Sequence, residues 1–384
     1  MPQWSLACSS PTCRWTGSGT VLTGLCPSCQ QPVMVHVAAT GTRRERPADA
    51  PWSLYRYADV LPLRDGEPVV TLGEGMTPLL EAPALARAVG VRRLWIKDEG
   101  VNPTASFKAR GMALAVTRAR ALGVPGVVVP TAGNAGAALA AYARAAGLRV
   151  RIWAPETTPP PILGSIRAMG VELVTIDGHI GDCGKLANAH AQEHGWFNVA
   201  TVREPYRVEG MKTMGYEVAE QLGWRLPDAV VYPTGGGEGT IGIWKAFGEM
   251  RANGWLPADA PLPRMIIAQA AGCAPLTTAF HAGAEAATPE PHPVTYAAGL
   301  RVPGPLGDRL VLRTLRESHG DAMAVPDDVM REATARLAAA TGVDAAPEGG
   351  CALAVLERLV AEGRLARDAE VVLFNTGSGA SYRW

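Results

Sequence analysis

Lys108 is the residue best placed to do covalent chemistry in this chain of 384 residues. It lies in the run Asn102-Pro103-Thr104-Ala105-Ser106-Phe107-Lys108-Ala109-Arg110-Gly111. Beyond it Met112, Val116, Ala119 and Leu122 recur at helical spacing before Gly123, which predicts a helix from about Phe107 to Leu122. A cation in the first turn meets the positive end of the helix dipole, and that field, with partial burial, favours the neutral amine. Such an amine is a nucleophile suited to bonding a carbonyl cofactor. A solvated first-turn lysine is the alternative, and position alone does not separate the two.

Three glycine turns follow apolar, strand-like runs. Thr234-Gly235-Gly236-Gly237-Glu238-Gly239-Thr240 precedes a helix, so its backbone can approach an anion while the helix N-terminus offers free N–H groups. Phosphate binding is the reading, with the side chain of Glu238 expected to point outward because it would repel that anion. The segment Gly237 to Gly242 also fits GxGxxG, but the next strand ends Ala268-Gln269-Ala270 without the acid a dinucleotide ribose needs. The second turn is Thr131-Ala132-Gly133-Asn134-Ala135-Gly136, one more helix N-terminus able to receive an anion, with a plain helix cap at Asn134 as the alternative. The third is Asn375-Thr376-Gly377-Ser378-Gly379.

Four of the seven cysteines, Cys8, Cys13, Cys26 and Cys29, fall within the first 29 residues. The Cys26–Cys29 spacing is that of a zinc knuckle; Cys8 and Cys13 are at the wide end of the usual range. A structural zinc ribbon is favoured over loose thiols or a redox pair. Cys183, Cys273 and Cys351 stand alone in apolar surroundings and read as buried small residues. Arg14 and Trp15, with Arg43, Arg44 and Arg46, could suggest nucleic acid, but Glu45 and Asp49 interleave and a solvated linker is the better reading.

The elements that must position these groups alternate. Strands are expected at Gly126 to Pro130, Arg149 to Ala154, Val171 to Ile176, Ala229 to Tyr232, Met265 to Ala268 and Glu370 to Phe374. Helices are expected near 135–146, 162–169, 183–193, 209–222, 327–340 and 350–361, with another after Thr240. That alternation implies parallel sheets with helices on both faces and ligands at the carboxyl ends of strands. Residues 286–294, with three prolines, read as a surface loop. The chain has 47% hydrophobic residues and no membrane-length apolar run, which argues for a globular protein. Lys+Arg and Asp+Glu are both 36, so no global field draws nucleic acid or anionic lipid. The first residues lack a signal-peptide pattern, and cytoplasm is the default.

In combination these runs resemble the motifs of threonine synthases, in the tryptophan-synthase-β branch of pyridoxal-phosphate enzymes. Two further stretches match: Glu74-Gly75-Met76-Thr77-Pro78-Leu79 and Ala346-Pro347-Glu348-Gly349-Gly350. So does Glu204-Pro205-Tyr206-Arg207-Val208-Glu209-Gly210-Met211-Lys212-Thr213. The resemblance implies two doubly wound parallel-sheet domains with the cofactor in the cleft between them, plus a small zinc-ribbon-like segment. The boundaries expected are 1–45 for the arm and linker, 46–105 with 205–384 for the large domain, and 106–204 for a small mobile domain. Lys108 would carry the cofactor as a Schiff base. Gly235, Gly236, Gly237, Glu238, Gly239 and Thr240 would hold its phosphate, Asn134 its 3′-oxygen and Thr376 its ring nitrogen. Thr131, Ala132 and Gly133 would receive the substrate carboxylate, and Arg207 the substrate phosphate, for which a planar guanidinium fork is suited.

The chain departs from the family pattern in three places. Ala105 replaces a usual glycine, Ala132 a second serine, and Ala380-Ser381 a frequent Leu-Lys. The implied activity is conversion of O-phospho-L-homoserine and water to L-threonine and phosphate. A threonine/serine dehydratase or β-replacement enzyme of the same fold is the alternative. The partner would be the small-molecule substrate, without nucleic acid or membrane; a homodimer is allowed.

Overall fold

The computed structural model describes residues 4–38 and 44–383; Arg43, part of the expected linker, lies outside the described residues. Two compact units emerge. One comprises the described residues up to Met76 with Lys108–Met214, the other Thr77–Phe107 with Gly215–Arg383. Residues 46–76 and 205–214, expected in the large domain, therefore group with the smaller sheet. Packing explains this. The Tyr55 hydroxyl lies 2.9 Å from that of Thr117, and a Cβ at Gly210 would run into the Arg110 carbonyl.

The first unit holds a four-stranded parallel sheet in the order Glu172–Ile176, Arg149–Pro155, Gly126–Pro130, Phe197–Asn198. Val127, Val128 and Val129 are buried, as expected of an inner parallel strand covered on both faces. The helix Asn134–Ala145 is alanine-rich, and its small side chains let it lie close to the sheet and to the helix Lys108–Ala121. An arm of three antiparallel strands, ordered Thr16–Ser18, Trp4–Cys8, Val33–Val37, precedes them. Its Leu6, Cys26, Val33 and Val35 are buried in one apolar cluster with Leu54, Met112 and Val116.

The second unit is built on six strands in the order Asp321–Val325, Arg264–Ala270, Ala229–Pro233, Glu370–Asn375, Arg93–Asp98, Leu79–Glu81. Neighbours are parallel except the last pair, where the edge strand is antiparallel. Every residue of Glu370–Asn375 is buried, and the helix Pro347–Ala361 covers the sheet with Leu353, Val355 and Leu356 at full burial. Each such side chain contributes roughly 1.5–3 kcal/mol. Among the described residues no helix is long and apolar enough to cross a membrane.

Glu370 opens its strand at the end away from the glycine turn and collects arginines. Arg225 Nη2 and Trp95 Nε1 each donate to its carboxylate at 2.8 Å, with Arg92 and Arg93 at 3.7 Å. Burial alone would raise its pKa, but Arg225 and Trp95 outweigh burial and hold it below the ordinary value. A lowered folded-state pKa adds stability above the unfolded value, and that stability is lost as pH falls through the folded one. Glu370→Gln is thus expected to cost about 1 kcal/mol at neutral pH, moderated by the half-exposed Arg225. Thermal unfolding should show this gap closing as the pH drops below about 4.

Candidate active site

In the second unit the carboxyl ends of three neighbouring strands carry the candidate groups. After Arg93–Asp98 the chain passes through Thr104 and Ala105, both left-handed with φ of 62° and 58°. Ala105 thus keeps the conformation a glycine would adopt easily, and a β-branched threonine beside it costs more still. The strained turn is held by its surroundings. Ser378 N–H donates to the Ala105 carbonyl at 2.9 Å, and Phe107 N–H to that of Thr376 at 3.1 Å. Asn375 donates to Asp98 at 2.9 Å and accepts from Ala346 N–H at 3.2 Å. Burial pushes the Asp98 carboxyl up, opposed by the Asn375 amide and the Gly100 N–H.

Aromatic packing joins these ends to the long glycine turn. The Phe107 ring meets Tyr232 edge-on at 6.0 Å, and Tyr232 meets Phe374 at 5.2 Å. A Cβ at Gly239 would strike the Tyr232 hydroxyl, and one at Gly235 the Gly299 carbonyl, so these positions have no room for a side chain. Gly237 has a φ of 91° and is the N-cap of the helix Glu238–Ala252, with no side chain capping its first turn. The hydroxyls of Thr234 and Thr240, 2.8 Å apart, close the loop. Gly236 completes it. Backbone N–H groups at a helix start within a glycine cradle are what an anion requires.

Glu238 corrects an expectation: its side chain does not point out to water but is 1% exposed. The Cα–Cβ bonds of a helix tilt toward its N-terminus, which lays a first-residue side chain along the loop, and the dipole there favours a carboxylate.

In the first unit Lys108 is the first residue of its helix and is half-buried. It follows Phe107 directly in the chain. The helix Tyr206–Gln221 crosses it closely: a Cβ at Gly111 would lie 3.2 Å from Arg207 Cβ. Arg207 is fully buried, not a solvated surface arginine, and donates to the Val199 carbonyl at 2.8 Å. Glu204 accepts from Tyr206 N–H at 2.6 Å and Arg207 N–H at 2.9 Å, capping the helix.

The Thr131 turn follows the strand Gly126–Pro130. The Thr131 hydroxyl donates to the Gly133 carbonyl at 2.6 Å and accepts from the N–H groups of Gly133 and Gly136, each at 3.1 Å. It shapes the loop itself. The helix cap is Gly133, with Asn134 as first residue, so Asn134 is not spent on capping. Ala132 and Asn134 are half-buried.

The four cysteines converge as expected. Their sulfurs lie within 4.8 Å of one another, with Cys8–Cys29 at 3.3 Å and Cys13–Cys26 at 3.7 Å. A tetrahedron of 2.3 Å zinc–sulfur bonds would set sulfurs about 3.8 Å apart, so the set fits that metal. Burial opposes ionisation at Cys26, yet N–H groups of Ser28 and Cys29 outweigh it and bring the thiol down to about 7. Cys8 is pushed up to about 12 by burial. Cys183, Cys273 and Cys351 are buried singly, as expected.

Ser106 is fully buried, and among the described residues its hydroxyl has no hydrogen-bond partner. Its spacing from Lys108 gave the only hint. A buried hydroxyl left unpaired is costly unless something absent from the chain completes it. With the cradle, it makes the second unit a fit for a phosphorylated cofactor.

A glycine phosphate cradle and a first-turn lysine define a class, and sequence comparison agrees. The chain belongs to the family of pyridoxal-phosphate dependent enzymes, whose family profile matches residues 70–377. Among curated relatives, the threonine synthase of Methanosarcina acetivorans is 36% identical over 328 residues, 85% of this chain and 79% of that one. The threonine synthase of Mycobacterium tuberculosis is 33% identical over 332 residues, 86% of this chain and 89% of that one. Similar folds include maize serine racemase, with a TM-score of 0.67 and 22% identity over 79% of this chain and 88% of that one. The processed form of threonine deaminase isoform 2 from Solanum lycopersicum has a TM-score of 0.65 at 22% identity, covering 79% and 83%. The fold is that of fold type II pyridoxal-phosphate enzymes.

Proposed function

We propose that this enzyme is a threonine synthase, converting O-phospho-L-homoserine and water to L-threonine and phosphate. The observation that carries the reading is Arg207, a fully buried guanidinium on a capped helix whose backbone abuts the Lys108 helix. A second phosphate site is what this substrate demands and what a hydroxy-amino-acid dehydratase would lack. The names of the relatives support the same choice.

Bound pyridoxal phosphate supplies an electron sink for carbanion chemistry at the substrate's α carbon. The remaining roles fall to side chains and backbone. Lys108 would hold the cofactor, and its amine is placed to move protons at the substrate's α and β carbons. The Gly235–Thr240 turn would hold the cofactor phosphate through backbone N–H groups, with Asn134 toward its 3′-oxygen and Thr376 toward its ring nitrogen. A threonine hydroxyl there cannot keep that nitrogen protonated as a carboxylate would, which tempers the electron demand. The turn at Thr131, Ala132 and Gly133 would take the substrate carboxylate and Arg207 its phosphate; in the structure the N–H groups of Thr131 and Gly133 donate to the Trp153 carbonyl and the Thr131 hydroxyl. Phosphate leaves from the γ carbon and water adds at the β carbon. The cytoplasm is the expected compartment.

Offering purified holoenzyme O-phospho-L-homoserine, L-threonine and O-phospho-L-serine separately tests this reading. Threonine and phosphate in equal amounts from the first substrate alone are expected. Ammonia and keto acid from threonine would instead favour the dehydratase.

Ser106 supplies a sharper check on the cofactor site. Ser106→Ala removes a buried unpaired hydroxyl, so the cofactor-free protein should gain about 1 kcal/mol in stability. Cofactor affinity, followed by fluorescence titration, should fall roughly fivefold. A loss of stability would assign Ser106 to packing instead.

The four thiols are proposed to hold one structural zinc. Elemental analysis should find one zinc per chain. Its removal by a strong chelator should lower the melting temperature, and replacing Cys26 by serine should do the same without chelator.

A further inference from the structure

We infer that the N-terminal arm is part of substrate recognition: by clasping the turn at residues 200–206 it fixes the backbone that presents Arg207. This rests on the assignment of Arg207 to the substrate phosphate.

The turn cannot hold itself. Val202 within it has a φ of 57° and is 1% exposed, a left-handed conformation that a β-branched residue adopts only when its surroundings impose it. Local bonds supply part of the restraint: Arg203 N–H to the Ala200 carbonyl at 3.0 Å, and the Glu204 cap. Asn198 and Asn188 add one bond each, from Ala200 N–H at 3.1 Å and Arg203 Nη1 at 3.2 Å, and the arm adds its own. The Gly19 carbonyl accepts from the Tyr206 hydroxyl at 3.4 Å and from Arg118 Nη2 at 3.1 Å. Tyr206 is the neighbour of Arg207, and Arg118 belongs to the helix that Lys108 opens. At the other end of the same arm loop, a Cβ on Gly24 would sit 3.5 Å from the Arg203 carbonyl.

Arg118 makes this a built contact, not a chance one. It is fully buried, paired with Glu67 at 2.5 and 2.7 Å, and lies over the rings of Trp4 at 4.8 Å and Tyr206 at 5.5 Å. An arginine stays charged, so its burial demands such partners, and two of the groups it meets come from the arm. Trp4 in turn lies against Gly19, where a Cβ would run into the indole nitrogen. The arm, the Lys108 helix and the Arg207 turn therefore meet at one carbonyl.

Two variants test the link. Gly19→Ala displaces the arm loop from Trp4; Tyr206→Phe keeps the ring and removes only the hydroxyl. In folded holoenzyme each is expected to raise KM for O-phospho-L-homoserine, and the inhibition constant of inorganic phosphate, about fivefold. The value of kcat and the absorbance of the bound cofactor should stay within about twofold. In an Arg207→Ala background the same changes should add nothing, because the turn then has no guanidinium to aim. An unchanged KM in either folded variant, or an equal rise without Arg207, would overturn the proposal. Should Gly19→Ala fail to fold, Tyr206→Phe decides. If Arg207→Ala itself leaves KM untouched, the phosphate assignment falls first and this inference with it.

Discussion

Lys108→Ala is expected to yield a folded, colourless protein with threonine formation reduced at least about 1,000-fold. The loss should be chemical, not structural. Lys108 is half-buried at a helix start, and the backbone before it is pinned by Phe107 N–H on Thr376 and by the Phe107–Tyr232 contact, neither of which involves its side chain. Thermal unfolding should therefore change little in the cofactor-free state. Cofactor added to the variant should wash out on dialysis, since the remaining contacts are all non-covalent. In the parent protein, borohydride reduction and peptide mapping should place the cofactor on Lys108. A variant that kept both the visible band and its turnover would remove the lysine from the chemistry.

Arg207→Ala should lower kcat/KM for O-phospho-L-homoserine by roughly 100-fold, most of it in KM. A buried charge-assisted fork on phosphate is worth about 2–5 kcal/mol, and it acts on a group present from binding onward. Arg207→Lys should recover only part, because an ammonium is a point charge and cannot pair bidentately. The same substitution separates the two readings of the fold. A dehydratase has no second phosphate to hold, so its turnover of threonine would survive the loss of Arg207. Steady-state kinetics on both substrates, with circular dichroism to establish folding, gives the answer.

Much of the fold could be read from periodicity. The strand Gly126–Pro130 lies where its valine run put it, and the helix Lys108–Ala121 differs from expectation by a residue at each end. Long elements bury a stripe or a whole face, and that leaves a pattern. The short strand Phe197–Asn198 and the edge strand Leu79–Glu81 leave none, because two or three residues cannot show a period. The unit boundaries were harder still, since they depend on which surfaces the linking residues find. Tyr55 reaching Thr117 is a contact across 62 positions that no local signal announces.

The site was legible in its backbone parts and less so in its side chains. Glycine marks where a chain must turn or be approached, and all three turns fall at strand ends. Glu238 was misjudged because charge repulsion was weighed without the geometry of a helix's first residue. Thr131 was assigned to substrate, but its hydroxyl is engaged with Gly133 and Gly136 and its N–H with the Trp153 carbonyl, contacts that no local pattern announces. The left-handed Val202 gave no sign at all, being an ordinary valine in the sequence.

The claim on which the account turns is that phosphate departs with its bridging oxygen and water enters at the β carbon. Turnover of O-phospho-L-homoserine in ¹⁸O-water reads both events at once by mass spectrometry. The expected result is one labelled oxygen in threonine, on its hydroxyl, and none in the released phosphate. Labelled phosphate together with unlabelled homoserine would mean simple hydrolysis of the ester and would contradict the assignment.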